Sequence, residues 1–568
     1  MDNQTIAKIF FEIADMLEMQ GVPWKPQAYR KAARTILSLS RELEDVYREK
    51  GEKGIDEIPG IGSRLTKKIV EMIETGKLKY YEKLKKQMPV KVEELMSVEG
   101  LGPKKIMLLY KKLGVKDLKS LEKAAREGKI AKLPRMGEKT EENILKAIAF
   151  LRKAGGRKLL SYALDLSNEI VSELKKNKDI ERIQVCGSLA RKKETIGDLD
   201  ILVITKNNKA VMNYFTSLKG VSEVLSKGIT RSTVIYHDMQ VDLRVIKPES
   251  FGAAVQYFVG SKDHNIALRR VAISKGYKLN EYGLFKGSKR VAGDKEEEIY
   301  KILGFDWIPY ELRENRGELE AASKHKLPKL VEIKDIKGDL QMHTKYSDGS
   351  NTVEEMVQEA IKLGHKYIAI TDHVGQLAIA GSMSEKEIEK QKKEIEKVRE
   401  KYPEIEVLHG AEVDIKLNGE LAAPDRVLKK FDIVLGAIHS GLKRSKEEQT
   451  KRILKAMDKA NIIAHPTGRI LFQRPGYDLD FDKVYEKAVK TDTILEINAF
   501  PTRLDLNDVH IKDAIERGVK LSIGTDSHYK EQLRYYVLGV YMARRGWCEK
   551  KNIVNTMSYR SLINLVKR

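Results

Sequence analysis

Apolar positions in residues 1–150 recur at three- and four-residue steps with little β-branched alternation, which predicts helices punctuated by glycine. From Ile183 the pattern changes. The short apolar runs IQVCG, LDILVI, STVIYH and QVDLRVI predict a sheet, with a helix around Ala210–Leu218. Between Arg316 and Lys334 the chain turns charged and irregular and includes Pro328, which predicts a linker. From Gly338 onward the apolar runs GDLQMH, YIAITDH, VLHGAEVD, DIVLGAIHS, IIAHP, TILEINA and LSIGTDSH alternate with amphipathic stretches. Seven such units predict a slightly irregular βα barrel, in which catalytic groups gather at the C-terminal strand ends.

A chain of 568 residues exceeds one hydrophobic core, so several domains are expected. The net charge is +22, and it is uneven: 61 Lys and Arg face 44 Asp and Glu in residues 1–316, against 44 and 39 in residues 317–568. A basic first part suits a polyanion held in a salt-sensitive way, although a lysine-rich, heat-adapted surface gives the same balance. Two cysteines far apart, Cys186 and Cys548, exclude a disulfide framework and a cysteine zinc site, and fit a reducing cytoplasm. The first residues, MDNQTIAKIFFEIADMLEM, carry charge through their apolar stretch, unlike a signal peptide, and no run reaches membrane-spanning length. The expectation is an intracellular protein without a membrane partner.

In the helical part, IPGIGSRLTKKIVEMI recurs as VEGLGPKKIMLLYKKL and more faintly as LPRMGEKTEENILKAI. Each copy is a glycine turn leading into a helix, and the repeat resembles the helix-hairpin-helix. Gly60 and Gly62, or Gly100 and Gly102, let the backbone approach a phosphate while N–H groups at the helix start donate to it. Such contacts grip DNA without reading bases; helix capping alone is the plainer alternative.

The stretch CGSLARKKETIGDLDILVI joins a Gly-Ser turn, a basic segment and two aspartates spaced i, i+2. Strand alternation puts Asp198 and Asp200 on one face, and QVDLRVI can set Asp242 beside them. Three clustered carboxylates repel one another unless divalent cations lie between them, and two Mg2+ ions suit a nucleotidyl transfer. Gly187, Ser188, Arg191 and Gly197 are then candidates for holding the triphosphate.

With these motifs, residues 1–316 resemble family X DNA polymerases, of which DNA polymerase beta is a member. In YFVGSKDHNIALRRVAISKGYKLNEYGLF the resemblance implies that Tyr257, Phe258 and Gly260 line the sugar, that Asn265 touches the minor-groove edge of the new pair, and that Arg269 reaches the template. It also places Lys68 where lyase-active members form a Schiff base, which needs a neutral amine; a phosphate-binding lysine fits the position equally well. Ile196 stands where polymerase beta has a hydroxyl residue.

Eight of eleven histidines follow Gly338. The pieces MHTKYSDG, TDH, GAE, IHS, AHP and GTDSH supply His343, Asp348, His373, Glu412, His439, His465, Asp526 and His528, mostly at strand ends. Converging imidazoles and carboxylates make a site for two or three ions, with Mn2+, Zn2+ or Fe chemically suitable for phosphodiester hydrolysis. This segment resembles the PHP domain, and family X polymerase followed by PHP is the arrangement of bacterial and archaeal PolX-type enzymes. The usual His-x-His opening is altered here, with Gln341 before His343, which weakens one ligand. His365, His409 and His510 are expected to be structural or surface residues.

The expected fold is multi-domain α+β and α/β. It comprises a helical DNA-end-binding, lyase-like domain (1–80), a helix-hairpin-helix fingers-type domain (81–150), a nucleotidyltransferase-type palm (151–245), a thumb-type nucleotide pocket (246–316), a linker (317–336) and a (β/α)7-like PHP barrel (337–568). The expected function is template-directed gap filling joined to 3′–5′ exonuclease or 3′-end processing, with abasic-site cleavage also implied. Gapped or nicked DNA and dNTPs are the expected partners, and the chain is expected to be a monomer in the cytoplasm, at the nucleoid when bound to DNA. The alternatives are an end-processing nuclease with an inactive, DNA-binding polymerase half, and a non-catalytic end-bridging protein.

Overall fold

The computed structural model describes the chain except residues 2, 38, 40–41, 59, 97, 99–100, 135, 376–380 and 568. The first part is helical. Helices Asn3–Met19, Lys25–Leu37, Leu43–Asp56, Ser63–Thr75 and Lys79–Gln87 enclose one core. Ile6, Ala7, Phe10, Ile13, Ala14 and Leu17 form its first stripe, at the three- and four-residue steps of one helix face. This core extends to Leu84, slightly past residue 80. A second, separate core gathers helices Val92–Met96, Pro103–Leu113, Leu118–Arg126 and Glu138–Ala154 around Leu95, Ile106, Leu109 and Leu121.

Strands β1 (Ile180–Val185), β2 (Asp198–Thr205), β3 (Val221–Lys227), β4 (Arg231–Tyr236) and β5 (Met239–Val245) form a palm sheet in the order β1-β2-β5-β4-β3. Only β2 and β5 run parallel; the remaining neighbours are antiparallel. Strand β3 was not expected: it is an exposed edge with broken register, so it lacks the alternating apolar face that reveals a strand. Helix Asn208–Thr216 matches the expected one within two residues. The thumb region pairs helices Phe251–Val259 and Lys262–Ser274 with a small antiparallel sheet over residues 278–292.

The stretch expected to be a plain linker is partly built into its neighbours. Helix Glu318–Ser323 buries Ala322 in the thumb core, and the fully buried Glu318 accepts a hydrogen bond from His264 Nδ1 at 2.7 Å. A charged sequence reads as solvated unless its partner, here His264, is known.

The barrel strands are β6 (Gly338–Asp339), β7 (Tyr367–Ile370), β8 (His373–Val374), β9 (Glu406–Asp414), β10 (Ile433–Ala437), β11 (Ile462–Ile463), β12 (Ile494–Asn498) and β13 (Leu521–Gly524). All pair in parallel, in the order β6-β7-β9-β10-β11-β12-β13, with β8 also on β9. A parallel bridge between Met342 and Ser527, with His343 N–H donating to the Ser527 carbonyl at 2.7 Å, draws the first and last strands together. The result is a near-closed barrel, as the seven alternating units predicted. Apolar residues on the helix-facing side of the barrel strands, such as Val413, Leu495 and Ile523, join those of the palm in one continuous buried cluster, while Leu340, Leu408, Leu435 and Ile462, on the Glu412 side, form another. Among the described residues no helix is long and apolar enough to cross a membrane.

Candidate active sites

In the palm, the β2–β5 register sets Asp200 opposite Asp242 and Asp198 opposite Gln240. Asp198 is exposed, Asp200 partly buried and Asp242 buried. Burial, and then the charges of Asp198 and Asp242, push the Asp200 carboxyl up to about 6. Asp198 and Asp242 add to that rise because like charges disfavour one another, a repulsion that a divalent cation between the carboxylates would offset. Asp242 behaves differently. Burial alone would raise it, but hydrogen bonds from Thr233, Gln240 and Arg231 hold it below the usual carboxylate range. Thr233 Oγ1 donates to its Oδ1 at 2.7 Å, Arg231 Nε and Nη2 at 3.0 and 2.8 Å, and Gln240 Nε2 to Oδ2 at 2.9 Å.

Gly187 opens the turn beside this sheet with φ +64°, and a Cβ there would lie 2.5 Å from Asp200 Oδ2, so only glycine fits. Ser188 follows it in the short helix Gly187–Ala190. Arg191 is buried, with Nε on Glu314 Oε1 at 3.0 Å and Nη1 on the carbonyls of Gly187 and Val259 at 3.2 and 2.6 Å. Gly197 precedes Asp198, next to the Arg157 guanidinium. The Tyr257 and Phe258 rings meet edge to face at 5.1 Å, and the Arg244 guanidinium lies over Phe258 at 4.8 Å. Asn265 donates to the carbonyls of Tyr257 and Gly260 and accepts from Gln256, so its amide is held within this corner. Arg269 is exposed on the following helix turn.

In the helical part Gly60 has φ +90°, while Gly62 and Gly102 are the N-caps of helices Ser63–Thr75 and Pro103–Leu113. Gly100 lies outside the described residues. Lys68 Nζ sits over the Tyr80 ring, 4.4 Å from its centre.

The barrel concentrates its chemistry more tightly. Among the described residues, three groups have candidate ligand atoms within 4.8 Å of one another: His343, Asp348, His373 and His528; His373, Glu412 and His439; and His343, Glu412 and Asp526. His465 Nε2 is 3.0 Å from Glu412 Oε1, so all eight expected His, Asp and Glu ligands converge. His343 and Glu412 bind the groups together, with His343 Nε2 at 3.2 Å from both Glu412 Oε2 and Asp526 Oδ1. Both His343 ring nitrogens are buried without a hydrogen-bond partner, as are Nδ1 of His373 and His465. For His343 and His373 these nitrogens face carboxylates, and such buried imidazoles are a ready donor set for cations. His465 and Asp526 hold positive φ, +30° and +53°, a strain that tends to mark functional positions.

Supporting residues went unread in the sequence. Asp414 Oδ1 faces His439 Nδ1 at 2.8 Å and orients the ring; burial pulls the imidazole down, but Glu412 and Asp414 outweigh it and raise the group to about 9. Asp372 receives Thr344, Ser347 and Gln391, and Asp339 receives Thr525, buttressing the loops that carry His343 and Asp526. Asn498 and Arg503 contact Asp526 Oδ2, each at 3.2 Å. Acids at strand ends were the available signal: Asp414 closes β9 and Asp372 follows β7. Gln341 is fully buried, and its Nε2 donates to Glu412 Oε2 at 3.1 Å, so in this arrangement the amide offers a proton where a histidine would offer a lone pair. His365 packs edge-on to Tyr536, His409 meets Gln391 and His510 stacks on Phe481; none joins the three groups.

Family models match most of the chain up to residue 499: a helix-hairpin-helix domain (residues 1–78), a SAM-like helix-hairpin-helix tandem (92–149), the DNA polymerase beta palm (163–274) and thumb (254–314), and a PHP domain (339–499). The chain is similar to the DNA polymerase/3'-5' exonuclease PolX of Bacillus subtilis (strain 168), 36% identical over 576 residues and covering 100% of both chains. It is also similar to the DNA polymerase lambda of Rattus norvegicus, 23% identical over 52% of this chain and 53% of that protein. The DNA polymerase lambda of Arabidopsis thaliana is 24% identical over 54% of this chain and 62% of that protein. A polymerase palm with its acidic centre, a barrel with its histidine-rich centre, and a relative matched end to end converge: the chain belongs to the family X DNA polymerases that carry a C-terminal PHP domain.

Proposed function

We propose that this protein repairs DNA by filling short gaps from a template and by removing or trimming nucleotides at 3′ ends. The observation that carries the reading is two distinct ligand centres in one chain, Asp198, Asp200 and Asp242 in the palm and the His343–Glu412–Asp526 assembly in the barrel. Two Mg2+ ions in the palm, and two or three Mn2+, Zn2+ or Fe ions in the barrel, would supply charge neutralisation and activated oxygen nucleophiles. The chain does the positioning. Asp198 and Asp200 share one strand face, the Gly187–Arg191 turn lies against Asp200, and the Tyr257–Phe258 corner and Asn265 offer a wall for sugar and base. The capped helix starts at Gly62 and Gly102 present backbone donors to a phosphate strand of gapped or nicked DNA. Lys68, its ammonium over the Tyr80 ring, is proposed as a lyase nucleophile, and abasic-site cleavage by the barrel belongs to the same reading. The proposed setting is a cytoplasmic monomer acting on chromosomal DNA with dNTPs. The Bacillus subtilis relative is a DNA polymerase/3'-5' exonuclease, which supports coupling the two activities here.

Primer extension on one-nucleotide gapped DNA tests the reading. Asp198→Ala should cut synthesis by on the order of a thousandfold while removal of a labelled 3′ nucleotide continues. Synthesis that survives the substitution would sink the palm assignment and leave the nuclease alternative.

A further inference from the structure

Arg545 ends the barrel helix Tyr536–Arg545, yet its buried guanidinium reaches out of the barrel into the polymerase half. Nη1 donates to the main-chain carbonyl of Arg191 at 2.6 Å and to Glu314 Oε1 at 3.1 Å, while Nη2 pairs with Asp508. Glu314 Oε1 also receives Arg191 Nε. One barrel arginine therefore holds both the backbone of Arg191 and, through Glu314, its side chain. Arg191 Nη1 in turn ties the Gly187 carbonyl, against Asp200, to the Val259 carbonyl, at the end of the helix bearing Tyr257 and Phe258. The next residues of the turn also face the barrel. Lys192, with φ +55°, lies over the Tyr541 ring at 4.8 Å, and Glu194 receives Arg469 Nη2 at 2.7 Å. Glu314 is nearly buried, so removing either arginine leaves a carboxylate short of partners in a poorly solvated place.

We infer that Arg545 is a positioning residue for the polymerase nucleotide site: from the barrel it fixes the Gly187–Arg191 turn that cradles the incoming triphosphate. The inference rests on the reading of that turn given above. It makes the nuclease barrel a structural part of the polymerase, through a residue that touches none of the barrel ligand groups.

The test uses full-length protein, with kcat and KM for dNTP in single-nucleotide gap filling, barrel metal content, 3′-nucleotide removal and melting temperature. Arg545→Met and the near-isosteric Glu314→Gln should each raise KM for dNTP about tenfold, with kcat within roughly threefold and nuclease rate and metal content unchanged. Arg545→Lys, which keeps the charge and loses the fork, should fall between. Arg544→Met is the control, because Arg544 binds Glu311 and the Val331 carbonyl at the same interface without touching the turn. Its KM should stay within about twofold of the parent. If Arg545→Met fails to fold, Glu314→Gln and Arg545→Lys decide alone. A KM unchanged in Glu314→Gln and in every folded Arg545 variant overturns the inference, as does an equal rise in Arg544→Met. A failure of the underlying reading looks different: Arg191→Lys leaving KM unchanged removes the cradle, and synthesis independent of Asp198 removes the polymerase site. The inference falls with either.

Discussion

The two centres of this chain solve one problem, gathering negative charge around cations, in opposite ways. The palm offers three carboxylates on adjacent strands, one exposed, one with its proton affinity raised and one engaged by Arg231, Thr233 and Gln240. The barrel offers eight candidate ligands, most of them buried, with two strained backbones and dedicated supports such as Asp414. A site that must admit a template, a primer and a triphosphate gains from being open and completed by its substrate. A hydrolytic site gains from being assembled beforehand. The difference teaches that the barrel should keep its ions and the palm should exchange them.

The sharpest way to break this contrast is to disable the barrel alone. His343→Ala with Asp526→Ala should abolish 3′-nucleotide removal, by on the order of a thousandfold, and leave gap filling within a few fold. Loss of both activities would mean that the centres are not separable. A milder probe acts one layer out. Asp414→Asn keeps the hydrogen bond to His439 but removes a charge, and should lower nuclease rate or metal retention about ten- to hundredfold, measured by metal counting after dialysis. Gln341→His should act in the other direction, slowing loss of one ion to a chelator by about tenfold; equal retention would show that Gln341 already serves as a ligand. The smallest effect concerns how the halves are locked together. Burial alone would raise Asp508, but Arg545 and Arg316 hold it down at about 2. A depressed carboxyl stabilises the fold above its unfolded pKa, near 4, and loses that contribution as pH falls toward 2. Asp508→Asn should therefore remove roughly 2 kcal/mol of stability at neutral pH and flatten acid unfolding over that window, as followed by denaturant titration.

Much of the barrel was legible because its signal is local. Each apolar run is a buried parallel strand, and the candidate ligand sits within four residues of its end, as in TDH for His373 or GTDSH for Asp526 and His528. The palm aspartates were legible for the same reason, since a two-residue spacing on a strand fixes the face. What stayed hidden depends on pairs distant in sequence. Glu318 reads as linker charge until His264 is seen beside it, and Arg545 reads as the basic end of a helix until Glu314 and the Arg191 carbonyl are found against it. Strand β3 was missed because, at an exposed edge, water rather than packing chooses its side chains.

The seam between the first and last barrel strands has a consequence in time. Gln341 and His343 come from the first strand's end, Asp526 and His528 from the last, and the Met342–Ser527 bridge brings them together. A ribosome therefore releases the helical domains and the palm well before the nuclease centre can exist. During its own synthesis, the chain carries no assembled nuclease centre until the last barrel strand has emerged.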